Sequence, residues 1–77
     1  MSPTSELATA PSIRVNGQDE PLSVKTVASL LAQREISPDM RGVAVALNGV
    51  VVARADWPKT PIAAGDSIEI VLAKQGG

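Results

Sequence analysis

The sequence predicts a small α+β domain, one sheet packed on one helix. Three observations predict it. Asn16-Gly17 and Asn48-Gly49 each follow a short alternating apolar run, the pattern of a two-residue β-hairpin turn. Between them, Val27 to Glu35 places apolar residues at helical spacing. A last alternating run, Ser67 to Leu72, follows the Gly65-Asp66 turn signal. A helix amid hairpins indicates the α+β class.

Each element has a local reason. Met1 to Pro11 is rich in Ser, Thr, Pro and Ala without periodicity, so residues 1–11 are expected to be a disordered leader. Ile13-Arg14-Val15 alternates, and Asn-Gly supplies the positive-φ pair of a type I′ turn. A second short strand is expected within Glu20 to Val24, with Leu22 and Val24 facing the core. Pro21 cannot donate to a ladder, which puts this strand at an edge. Thr26 is placed to cap a helix from Val27 to about Glu35. Val27, Leu30 and Leu31 line its inner face, widened by Ala28 and Ala32. Position 29 is Ser, so no capping box forms. Ser37-Pro38 is expected to stop the helix.

Val43 to Leu47 is the clearest strand, with Val43, Val45 and Leu47 on one face and Ala44 and Ala46 on the other. Val50-Val51-Val52 returns from the second turn. Arg54 to Trp57 reads as one helical turn ended by Pro58, and Ile62 as dipping back inside. Trp57 is expected to lie over the core as a lid. The predicted core is Ile13, Val15, Leu22, Val27, Leu30, Leu31, Val43, Val45, Leu47, Ile68 and Ile70.

Composition excludes several function classes. The chain has 77 residues, enough for one domain near the lower limit of a self-sufficient core. There is no Cys, hence no disulfide or thiolate nucleophile, and no His, the commonest general base and zinc ligand. No catalytic residue, bound cofactor or metal site is expected. A net charge of −1 argues against a nucleic-acid footprint. No apolar run approaches the roughly 20 residues that span a bilayer. The expected setting is the cytoplasm.

The chemistry is expected at the last residues. Lys74-Gln75-Gly76-Gly77 follows the final strand directly. Residues 74–77 are expected to form a flexible tail behind a domain of residues 12–73. Glycines without a Cβ can enter a narrow cleft and lie against a partner's backbone. A terminal carboxylate on Gly77 is ionised at neutral pH. If a partner positions it, it can attack the α-phosphate of ATP and become an acyl-adenylate.

These residues resemble the ThiS family of sulfur carriers within the ubiquitin-like β-grasp superfamily, from Ile13 to Gly77. The marks are Val15-Asn16-Gly17, Thr26-Val27-Ala28-Ser29-Leu30-Leu31, Val45-Ala46-Leu47-Asn48-Gly49, Val52-Ala53-Arg54-Ala55-Asp56-Trp57, Gly65-Asp66-Ser67-Ile68-Glu69-Ile70-Val71 and Gly76-Gly77. The Val-x-Arg-x-x-Trp run discriminates best. The related molybdopterin synthase small subunit typically carries aromatic and proline residues before its glycines, where this chain has Val71 to Gln75. The leader and Gln75 depart from the family pattern.

The resemblance implies a β-grasp fold, a mixed sheet of about five short strands on one helix. It implies that an E1-like enzyme of the ThiF type adenylates Gly77 with MgATP, with Gly76 as its slim neighbour. Sulfur from a cysteine desulfurase relay would then give a thiocarboxylate, which a ThiG-type thiazole synthase consumes. The chain would be a carrier and co-substrate. The rivals are a carrier for molybdopterin or tRNA thiolation, a ubiquitin-like protein modifier, and a plain interaction module. Ala44, Ala46 and Val71 point away from the core-facing set, and this smooth apolar patch is the expected partner surface.

Overall fold

The computed structural model describes residues 11–73. The leader up to residue 10 and the tail at 74–77 lie outside the described residues, and with them the expectations placed on Gly76 and Gly77.

The elements run β1 (Ser12–Val15), β2 (Gln18–Pro21), α1 (Val27–Gln33), β3 (Val43–Leu47), β4 (Val50–Val51), a 3₁₀ helix (Arg54–Lys59) and β5 (Ser67–Leu72). The sheet has five strands in the order β2-β1-β5-β3-β4. β5 pairs parallel with β1 and antiparallel with β3, so the sheet is mixed. The two hairpins flank the last strand, and α1 packs on one face. This is the β-grasp arrangement.

Both turns form as Asn-Gly dictates. Asn16 and Asn48 each have φ 51°, and Gly17 and Gly49 each have φ 84°. A two-residue loop leaves no slack, so Val15 pairs directly with Gln18. This corrects the expected second strand: β2 starts at Gln18 and ends at Pro21. Leu22 and Val24 come after it and are only partly buried, packed against the core from the connection to α1. Pro21 does sit on an edge strand, opposite Ser12. Sheet bonding also reaches one residue into the expected leader, since Leu22 N–H donates to the Pro11 carbonyl at 3.1 Å.

Thr26 caps α1 as expected: its Oγ1 accepts from the Ser29 N–H at 3.2 Å. The other end differs from expectation. Glu35 adopts φ 62°, its N–H donates to Ala32 O at 3.0 Å, and Ile36 N–H donates to Leu31 O at 2.9 Å. This pair of bonds is a Schellman stop, built on a left-handed Glu where glycine is commoner. It ends the helix at Gln33, before Ser37-Pro38 can act, and turns Ile36 into the core.

The core is Ile13, Val15, Val27, Leu30, Leu31, Ile36, Val45, Trp57, Ile62, Ile68 and Ile70. Val43 and Leu47, expected inside, are partly buried at its margin. Trp57 is a full core member at 2% exposure rather than a lid. Its burial is tolerable because the indole N–H donates to Val52 O at 3.1 Å. Pro58 lies within the 3₁₀ helix instead of ending it. β4 stops at Val51, although Val52 N–H still donates to Val45 O at 2.8 Å.

Candidate functional site

The last strand is held on both sides by side chains as well as by its neighbours' backbones. Asn16 accepts from the Ile70 N–H at 2.8 Å and donates from Nδ2 to Ile70 O at 3.2 Å. Its amide thus continues the ladder where β1 has already turned away. Asn48 accepts from the Ser67 N–H at 2.9 Å, and its Nδ2 donates to Asp66 Oδ1 at 3.1 Å. Asp66 in turn accepts from the Ala63 N–H at 2.8 Å, closing the turn that launches β5. The antiparallel pairing with β3 runs from Ile68 opposite Leu47 to Leu72 opposite Val43. One further bond, Ala73 N–H to Gly42 O at 2.7 Å, ties down the residue after the strand. The sequence then continues into Lys74-Gln75-Gly76-Gly77.

The face away from α1 has two halves. On one, Ala44 stands opposite Val71, and Ala46 stands between Glu69 and Val51. Ala44 is exposed, Ala46 half-buried, Val71 59% exposed and Val51 76% exposed. The structure therefore brings the three residues of the expected partner surface together on adjacent strands. It adds Val51, opposite Ala46, to that face. The signal was available: after a two-residue turn, Leu47 opposes Val50, so Val51 must share the face of Ala46. On the other half, Arg14 stands opposite Asp19 and Ser67 and pairs with Asp19 at 3.3 Å. This half is polar.

Among the described residues, every buried residue is hydrophobic and no group of His, Cys, Asp or Glu could hold a metal ion. Among them, too, no helix is long and apolar enough to cross a membrane. Among the described residues, the last strand therefore runs beside a small apolar face.

The sequence profile of the ThiS family matches residues 9–77, which takes in the terminal glycines. A curated relative, the sulfur carrier protein ThiS of Thermus thermophilus, is 36% identical over 63 residues, covering 82% of this chain and 95% of the relative. The crystal structure of the thiamine biosynthesis protein ThiS from Geobacter metallireducens superposes with a TM-score of 0.70 at 28% identity, covering 86% of this chain and 99% of that one. The solution structure of a thiamine biosynthesis protein from the same organism gives a TM-score of 0.69 at 28% identity, over 86% and 87% of the two chains. With the fold, the hairpin motifs and the terminal glycines all inside the match, the chain belongs to the ThiS family.

Proposed function

We propose that this chain is the sulfur carrier of thiamine biosynthesis and that sulfur travels on the carboxyl carbon of Gly77. One observation carries the reading: the family match spans residues 9–77, from the domain through Gly76-Gly77. The chain is a carrier, acted on by partner enzymes and not itself a catalyst.

The chemistry follows from what a carboxylate lacks. Direct displacement would have to expel oxide, so the group needs activation. A Gly77 oxygen attacks the α-phosphorus of MgATP on an E1-like enzyme, pyrophosphate leaves, and an acyl-adenylate forms. A persulfide sulfur supplied by a cysteine desulfurase relay then attacks the carbonyl carbon, and AMP leaves. A partner thiol reduces the resulting acyl disulfide, which releases the thiocarboxylate. That soft anion gives its sulfur to a thiazole synthase, and the carboxylate is regenerated. Ala44, Ala46, Val51 and Val71 form the face on which the activating enzyme docks. The glycines supply a segment thin enough for its cleft.

Cys is absent from the chain, so alkylation reads the product directly. Unmodified protein should resist iodoacetamide under mild conditions. After incubation with the activating enzyme, MgATP and a sulfur donor, it should take one label at Gly77. Omitting ATP, deleting Gly77 or adding one Ala beyond it should abolish the label, because each removes activation or displaces the reacting carbon. A label that persists without Gly77, or never appears with competent partners, sinks the reading. Isopeptide-linked products instead of a thiocarboxylate would make the chain a protein modifier.

A further inference from the structure

The Val52-x-Arg54-x-x-Trp57 run is the family mark that the proposed chemistry leaves without a task. In the structure it makes one connected clip. Trp57 is anchored by its indole N–H on Val52 O at 3.1 Å, and the Arg54 guanidinium lies 4.6 Å from the centroid of its ring. Arg54 Nη1 also donates to the carbonyl of Pro38. The 37–42 connection that begins there is drawn tight by Ser37, which accepts from the N–H of Asp39 and of Met40, both at 3.0 Å. It ends at Gly42, whose φ of 76° aims its carbonyl at the Ala73 N–H, 2.7 Å away. One side chain therefore links the buried Trp to the loop that holds the residue before Lys74.

We propose that Arg54 is a positioning residue: through Pro38 and Gly42 it fixes where the chain leaves the sheet for Gly76-Gly77. It touches none of the reacting atoms. A planar guanidinium can stack on an indole face while donating in its own plane, which the point charge of Lys cannot do at once. The consequence for the reaction rests on the proposed sulfur-carrier role, because a carboxylate delivered from a displaced exit point reaches the α-phosphate out of line.

The test compares Arg54→Lys, Arg54→Ala and Gly42→Ala in the full chain. Gly42→Ala disturbs the same carbonyl from the backbone. Amide hydrogen exchange reads the clip without any partner. The Ala73 amide should exchange about tenfold faster in all three variants, as expected for loss of one supported hydrogen bond. The Arg14 and Asn16 amides, bonded to Asp66 O and Ile68 O at 2.9 Å each, should change by less than about twofold, because local opening does not reach them. With the activating enzyme and MgATP, the Arg54 variants should lose about tenfold in kcat, with KM for the carrier nearly unchanged.

Unchanged Ala73 exchange in Arg54→Lys overturns the proposal. So does acceleration of all three amides alike, which would make Arg54 a plain cover for Trp57. Accelerated Ala73 exchange with normal kcat removes the positioning role. If the wild-type chain is itself not adenylated, the sulfur-carrier reading fails, and the exchange arm still decides whether Arg54 holds the exit.

Discussion

The two hairpins use the same turn and present opposite surfaces. Each is closed by Asn-Gly at matching φ values, and each Asn reaches from its turn onto β5. Beyond the turn they diverge. The returning strand β2 reads Gln-Asp-Glu-Pro, and its acids are engaged: Asp19 by Arg14, Glu20 by Arg34 of the helix end. The returning strand β4 reads Val-Val, and both valines are more than half exposed. Charge and proline blunt one edge of the sheet, as edge strands in soluble proteins usually require. The other edge keeps exposed apolar surface contiguous with Ala44, Ala46 and Val71. A shared turn therefore says where a strand returns and nothing about what it returns to meet. The asymmetry leaves the exposed apolar half on the β3–β4 side, the half proposed above to dock.

The largest effect should come from the residue that both hairpins share. Ile68 is fully buried, opposite Val15 on one side and Leu47 on the other. Ile68→Ala should cost about 2–5 kcal/mol, lost transfer energy plus a cavity. A domain of this size has only roughly 5 kcal/mol in total. Urea unfolding should show the midpoint falling by about two fifths or more. A loss below about 1 kcal/mol would mean that the hairpins stand independently of β5.

The docking contrast should be next in size. Ala44→Arg puts a cation into the apolar half, where docking would bury it unpaired. Adenylation kcat/KM should fall at least about tenfold, roughly 1.4 kcal/mol, with unfolding unchanged. Asp19→Arg on the polar half should leave the rate within about twofold, since it alters only an exposed edge. Equal rates for the two folded variants would show that the asymmetry of the sheet is not the docking code.

What is local is legible in the chain itself. Asn-Gly announces its turn, and Val43-Ala44-Val45-Ala46-Leu47 announces both faces of its strand. Gly76-Gly77 is visible as composition alone. The chain is silent where a distant group decides. Nothing in Arg34-Glu35-Ile36 marks a left-handed Glu; Ile36 finding a core site makes that stop worthwhile. Trp57 reads as a lid until Val52 O is seen to satisfy its N–H. The Asn16 clamp on Ile70 joins residues 54 positions apart, so no sequence window contains it. Nothing local to Arg54 shows that the Pro38 carbonyl, 16 positions away, accepts from it.

That long-range clamp separates the hairpins at the next level. Asn16→Gly and Asn48→Gly both tolerate the turn's positive φ, so the difference between them reports the side-chain bonds alone. Asn16 serves a part-buried N–H and C=O of Ile70, whereas the bonds of Asn48 are exposed and water can replace them. Asn16→Gly should cost about 1–2 kcal/mol, and Asn48→Gly less than about 1. Thermal melts of the pair give the order, and the reverse order would shift the anchoring of β5 to its β3 side.

The smallest effect tests whether the charges on β2 support the fold or only guard the edge. Arg34 and Glu20 retain 28% and 31% side-chain exposure; Arg14 and Asp19 retain 59% and 74%. Water screens the second pair more fully, and its two side chains lose entropy on being held together. The first pair ties the end of α1 to the edge strand across the margin of the core. Glu20→Gln should therefore cost about 0.5 kcal/mol, and Asp19→Asn close to nothing. Raising the salt to about 1 M, where the Debye length falls to about 3 Å, should shrink the Glu20 difference further. If both substitutions are neutral while the variant carrying both associates at high concentration, the acids of β2 act against edge pairing. The contrast with β4 would then be one of exposure to partners and not of stability.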